Sequence, residues 1–374
     1  KNCNVFGQIS NGFCAFTKNS DGNIIKTKRR RKGYDMQKSR DYLLSLAKEM
    51  PPELAYNAAL PLNEWQEKAH EKFEELLGLP LPACEDAFRI IAESEGADFK
   101  QIEFEFMSEP GHMVTAILRI PFGEKIARPV VIGLQGHSTG AHVTLEIQKY
   151  PRDEKSISGG RNFSVWAVKN GYCAVAMEQR YMGENGRDEK DGKPACLRLN
   201  ASMGGFLLGR TAVGERVWDV HRLIDILITY FSEYICPDKI VCMGNSGGGT
   251  TSFYAACYDK RICLSVPSCA VCTYEASIMA RHHCGCNYIP NIRKYFNMGD
   301  LGCLIAPRPL IVVCGVEDEL FPLHGVEESY AVIKTAYHAA GKDENCHLIK
   351  GNGGHTFFPD EVWPLVNEMM RFNL

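Results

Sequence analysis

Residues 240–256 read IVCMGNSGGGTTSFYAA. The apolar run Ile240 to Met243 leads into Ser246, with Gly244 before it and Gly247, Gly248 and Gly249 after it. Helix formers follow. An ordinary turn has no need of so many glycines. A strand that bends sharply into a helix does, because side chains at the flanking positions would collide with the crossing backbone. Such a bend presents the serine hydroxyl at the carboxyl edge of a sheet, where open α/β sheets bind ligands. It also sets the hydroxyl over a helix N-terminus, which favours developing negative charge. The pattern is G-x-S-x-G. The competing reading is a phosphate-binding glycine loop. The stretch lacks the Lys-Ser/Thr ending of one such motif and misses the G-x-G-x-x-G spacing of another.

Short apolar runs flank this stretch on both sides: PVVIGLQG at 129–136, GYCAVAM at 171–177, ICLSVPS at 262–268 and PLIVVCG at 309–315. Helical stretches separate them, among them residues 213–231. Near-continuous apolar strands alternating with helices predict a mostly parallel central sheet with helices on both faces, an α/β fold. Residues 101–121 read as two antiparallel strands around Pro110-Gly111. Residues 35–79 have helical spacing, with Tyr42, Leu43, Leu46 and Ala47 on one side; a second helix is capped at Asn63 and stopped by Gly78 and Pro80. The expected organisation is an N-terminal arm and helical extension over 1–98 and a catalytic domain over 99–374. Lid-like insertions are expected at about 179–211 and 270–300.

The composition of the 374 residues, 45% hydrophobic and 23% charged, is that of an ordinary globular protein. A net charge of −3 gives no electrostatic ground for nucleic acid or an anionic membrane as partner. No apolar run has the length of a membrane span. Of sixteen cysteines, Cys173, Cys242, Cys263 and Cys314 lie within apolar strands and read as small buried hydrophobes. This points to reduced thiols and a cytoplasmic setting, with a removed leader left open. The basic run KTKRRRK at 26–32 reads as a solvated arm or subunit contact rather than a phosphate grip, and with the extension it is compatible with a homodimer.

A serine nucleophile needs a base, and the base needs an orienting acid. In this architecture the order along the chain is Ser, then Asp or Glu, then His. PLIVVCG is followed by VEDELFP, and Asp318 is the expected acid, with Glu317 in reserve. KGNGGHTFF supplies His355 in a loop before the last helix. Two backbone N–H groups should face the oxyanion. One belongs to Gly247, the residue after the nucleophile; the other is the His137 amide in the QGHSTG loop, where Gly136 permits close approach. RHHCGCNYIP at 281–290 brings His282, His283, Cys284 and Cys286 together in sequence. The spacing fits no common zinc motif, so the expectation is a pocket-lining loop and no catalytic metal.

With Ser246, Asp318, His355 and the QGHSTG loop in this order, the chain resembles the α/β-hydrolase superfamily. Within it, the chain is similar to the dienelactone hydrolase and acetyl xylan esterase (cephalosporin C deacetylase)-like branch. The stretches LLGRTAVGERVWDVHRLIDIL, CMGNSGGGTTSFYAA and DLGCLIAPRPLIVVCGVEDELFP carry the likeness, which spans residues 100–374 and more loosely the extension. Gly247 stands where deacetylases of that group often have Gln, and Gln135 where many relatives have His. The resemblance implies an α/β-hydrolase fold and hydrolysis of carboxylic esters through an acyl-enzyme, without a cofactor. It further implies deacetylation of small-molecule or carbohydrate substrates. Arg210, Gly214 and Arg216 would shape the rim of the pocket, with surface salt bridges an equal explanation for the arginines. An amidase or peptidase with the same triad, and a catalytically silent binding module, are the alternatives.

Overall fold

The computed structural model describes residues 14–18, 24–28, 38–85, 87–124, 126–186 and 197–372. Residues 29–32 of the basic run and 187–196 of the first expected insertion lie outside these. The chain divides into two units, Lys1–Ser45 and Leu46–Leu374. The first contains a hairpin of β1 (Cys14–Lys18) and β2 (Ile24–Lys28).

The second is built on a nine-stranded sheet. Its strands are β3 (Phe88–Glu95), β4 (Phe99–Glu109), β5 (His112–Pro121), β6 (Arg128–Leu134), β7 (Cys173–Met177), β8 (Ile235–Asn245), β9 (Ile262–Ser268), β10 (Leu310–Gly315) and β11 (Cys346–Gly351). They lie in the order β11-β10-β9-β8-β6-β7-β5-β4-β3. From β11 to β7 every pairing is parallel. The β5–β7, β4–β5 and β3–β4 pairings are antiparallel.

Alternation along the strands explains the continuous apolar runs. In β6, Val130, Ile132 and Leu134 enter one core while Val131 enters the other. Ile240 and Cys242 of β8 face the first core, and Val241 and Met243 the second. A strand covered on both faces has no polar side, and each large apolar side chain buried this way contributes about 1.5–3 kcal/mol. Cys173, Cys242 and Cys314 are buried free thiols in this packing, as their strand positions suggest.

The helix Leu62–Leu77 belongs to the first core through Trp65, Ala69, Phe73 and Leu77. Phe73 stacks on Tyr254 at 5.7 Å, so this helix braces the one that follows Ser246. Its N-cap is Pro61 rather than Asn63, which sits one residue inside the helix. Proline fits a helix start because its missing N–H would have no partner there, and that competes with the asparagine signal. Gly78 ends the helix in the left-handed conformation, φ 74°. No described helix is long and apolar enough to cross a membrane.

Candidate active site

The chain leaves β6, forms β7 on one side of it, and returns to form β8 on the other. Ligands of open α/β sheets bind at the carboxyl ends beside such a reversal. Leu134 is in register with Gly244, Asn245 with Ser268, and Gly315 with Gly351. The loops after β6, β8, β9, β10 and β11 therefore emerge along one edge, and they carry His137, Ser246, Cys269, Asp318 and His355.

Ser246 sits at the end of β8 with φ 58° and ψ −125°, backbone angles that only glycine enters freely. Such a conformation costs on the order of 1–3 kcal/mol, and surrounding contacts hold it. The Ser246 amide donates to the Ser268 carbonyl at 2.9 Å, and the Ser246 carbonyl accepts from the Thr250 amide at 2.8 Å. The helix Gly247–Tyr258 starts directly afterwards. A Cβ on Gly248 would lie 2.0 Å from the Leu134 carbonyl oxygen, and one on Gly244 2.5 Å from the Gly248 backbone. These glycines let helix and strands approach to backbone contact. Gly248→Ala should therefore cost about 3 kcal/mol of stability, at the upper end of overpacking effects, and urea unfolding would measure it.

Asp318 is buried, whereas Glu317 and Glu319 on either side are exposed. Its Oδ1 accepts from the amides of Leu320 at 2.8 Å and Phe321 at 3.2 Å. Its Oδ2 pairs with His355 Nδ1 at 2.8 Å. Burial alone would raise the Asp318 pKa. The hydrogen bond and charge of His355, with the two amides, outweigh it and hold the carboxyl below its ordinary value. Glu317 instead contributes backbone, its amide donating to Gly353 at 2.9 Å.

The His355 loop is fastened onto the serine turn. The Thr356 carbonyl accepts from Asn245 Nδ2 at 3.1 Å, Ser268 Oγ at 3.3 Å and Cys269 Sγ at 3.3 Å. Arg161 Nη2 donates to the His355 carbonyl at 2.6 Å. Phe321 stacks on the imidazole with centroids 5.9 Å apart. Burial first, then Asp318, push the Cys269 thiol up to about 12, so it stays a neutral donor beside the pair. Asn245 and Arg161 are missed by sequence reasoning. Asn245 sits inside the quoted motif without a distinguishing signal, and Arg161 has none.

On the other side of Ser246, the loop after β6 comes close because Gly136 has no side chain. A Cβ there would lie 2.7 Å from the Asn245 carbonyl and 3.1 Å from Ser246 Cβ. Gln179 Nε2 holds this loop through the Gln135 carbonyl at 2.6 Å. The His137 ring lies against Gly247, and its Nε2 is 3.0 Å from Cys286 Sγ. The Cys286 thiol is held well below its ordinary pKa, first by a hydrogen bond from Cys284; burial opposes this, and Arg216 and His137 reinforce it. His283 turns away, with Nε2 3.1 Å from Ser277 Oγ. Arg216 is fully enclosed, with Nε donating to the Arg180 carbonyl at 2.8 Å, so it is no rim residue. Arg210 spans Glu109 and Glu215.

Glu178, just past β7, accepts from the Ala141 amide behind the β6 loop. Burial pushes its carboxyl up to about 7 from an ordinary 4.5. A raised folded-state pKa gives stability that is complete below about 4.5 and lost as pH climbs to about 7. At pH 8 the loss is on the order of 3 kcal/mol, at 1.36 kcal/mol per pKa unit. Glu178→Gln keeps the acceptor and removes the charge. Its melting temperature should exceed wild type at pH 8 and match it at pH 4, which paired thermal scans would test.

A family model described as the abhydrolase family matches residues 18–352. The chain belongs to this family. Among curated relatives, this abhydrolase is 27% identical over 170 residues to a Bacillus subtilis (strain 168) protein named as a hydrolase, YtaP. That match covers 45% of the chain and 55% of the relative. It is 24% identical over 207 residues to 4-O-methyl-glucuronoyl methylesterase 1 of Wolfiporia cocos (strain MD-104), covering 49% and 51%. The chain thus spans about half the length of the curated relatives it matches. A solved structure from Bacteroides fragilis, named as an acetyl xylan esterase, superposes with TM-score 0.69 at 18% identity. It covers 90% of this chain and 85% of that one, and the likeness shows the α/β-hydrolase fold.

Proposed function

We propose that this abhydrolase is a serine esterase that cleaves carboxylic esters of small acylated or carbohydrate molecules through an acyl-enzyme. The observation that carries the reading is the Asp318–His355 hydrogen bond on a loop whose next carbonyl is bound by Asn245, the residue before Ser246. The names of the relatives, an acetyl xylan esterase and a glucuronoyl methylesterase, support an ester of a sugar or sugar acid.

In the proposed cycle, Ser246 Oγ attacks the acyl carbon while His355 Nε2 takes its proton. Asp318 holds the Nδ1–H tautomer and stabilises the imidazolium. The amides of Gly247 and His137 receive the oxyanion, each such donor being worth about 3 kcal/mol of transition-state stabilisation. His355 returns the proton to the leaving alcohol, and water activated by the same imidazole releases the acid.

Acetyl esters of xylose oligomers, methyl esters of uronic acids and an aminoacyl anilide, assayed side by side, test the substrate class. The reading predicts turnover of at least one ester series and little of the anilide. Preferential anilide cleavage would make the protein an amidase.

A further inference from the structure

The segment RHHCGC, residues 281–286, lacks a second ligand pair in sequence, yet the fold brings it a partner from 149 positions before Cys286. Cys284 precedes a tight turn over Gly285–Asn287, and Cys286 lies within it, fully buried. His137 comes in from the loop after β6. One ring nitrogen of His137 and the Sγ atoms of Cys284 and Cys286 lie within 4.8 Å of one another.

We propose that His137, Cys284 and Cys286 form a binding site for a thiophilic divalent cation, Zn²⁺ by ligand type. Two sulfurs and an imidazole nitrogen are the soft and borderline donors that select this ion over Mg²⁺ or Ca²⁺. Zinc–ligand lengths of about 2.3 Å to sulfur and 2.0–2.1 Å to nitrogen put tetrahedral donor atoms about 3.5 Å apart. The triplet is already gathered to within small side-chain rotations of that spacing. Binding replaces thiol protons, which leave to solvent, and uses an imidazole nitrogen lone pair. No electron is transferred.

The Arg216 guanidinium is wholly buried, its Nη1 and Nη2 have no hydrogen-bond partner among the described residues, and its charge acts on both cysteines. A doubly charged ion, two thiolates and one guanidinium leave one net positive charge, so the fourth position suits an anion. The ion would clamp the His137 ring, which rests on Gly247, and so fix the loop that brings Gly136 against Ser246. This is a structural clamp beside the reaction centre, and it stands independently of the esterase reading.

The test uses reduced, chelator-treated full-length protein titrated with Cd²⁺ and followed by thiolate-to-cadmium charge-transfer absorption. Bound Zn²⁺ is counted by elemental analysis after desalting. Wild type should take up one equivalent. Cys284→Ser and His137→Asn should each weaken binding by more than about 100-fold, above the range for loss of an outer-shell partner. Cys236→Ser, at a half-buried thiol on β8, should bind as wild type. Circular dichroism identifies a variant that fails to fold, and the other ligand variant then decides. Ser246→Ala should bind the ion undiminished, which separates this inference from the proposed hydrolysis. Absence of a stoichiometric signal in wild type, or an equal signal in both folded ligand variants, would overturn the proposal.

Discussion

Ser246→Ala should lower kcat for an activated ester such as p-nitrophenyl acetate by about 10⁵- to 10⁶-fold, the scale seen when a triad nucleophile is removed. In the proposed cycle the serine gives the oxygen of the acyl-enzyme. Cys269, whose thiol lies within 4.8 Å of the His355–Asp318 pair, is kept protonated by burial and by Asp318. The substitution deletes one oxygen at a half-buried position and leaves every backbone contact of the turn, so the melting temperature should change by only a few degrees. Activity and thermal scans on the same preparation separate lost chemistry from lost fold. Retention of more than a tenth of the activity would remove Ser246 from the mechanism.

Asp318→Asn should cost about 10⁴-fold in kcat with little change in KM. The two oxygens of Asp318 have different duties. Oδ1 accepts from two backbone amides, and Oδ2 faces His355 Nδ1. An asparagine that keeps its oxygen toward the amides must turn its NH₂ toward the imidazole. The ring then carries its proton on Nε2 and cannot accept one from Ser246. The depressed pKa of Asp318 adds a stability consequence. Its contribution is complete above the ordinary carboxylate range and is lost as pH falls through the lower folded value. The variant should therefore lose stability at neutral pH and approach wild type in strong acid. A loss of activity below tenfold would mean that another group orients the imidazole.

The parts of the fold legible in sequence were those with both faces buried. Residues 262–268 form β9 as their apolar run predicts, and β6, β7, β8 and β10 differ from the expected runs mainly at their ends. Two strands of the large sheet escaped. Both β3, almost wholly exposed, and β11, with a mixed burial pattern, lie at its edges. An edge strand needs no continuous apolar run, so FRIIAESE and CHLIKG carry a weak signal.

The arrangement of the candidate site was legible to the same depth. A sharp strand-to-helix bend must be glycine-rich, and the chain order of the other candidates follows from the topology. Asp318 rather than Glu317 meets His355 because side chains at adjacent positions of that turn point to opposite sides, one buried and one exposed. What sequence could not give was long-range company: Arg161 on the His355 carbonyl, Glu178 behind the β6 loop, His137 against Cys286. Each joins segments whose proximity exists only after the sheet has formed.

The most direct measurement is the site of covalent capture by a fluorophosphonate, read by peptide mass spectrometry on the native protein. The proposed mechanism requires a single adduct on Ser246, formed quickly in wild type and far more slowly in Asp318→Asn. An intact, folded protein that stays unlabelled, or that carries its adduct on another residue, would contradict it.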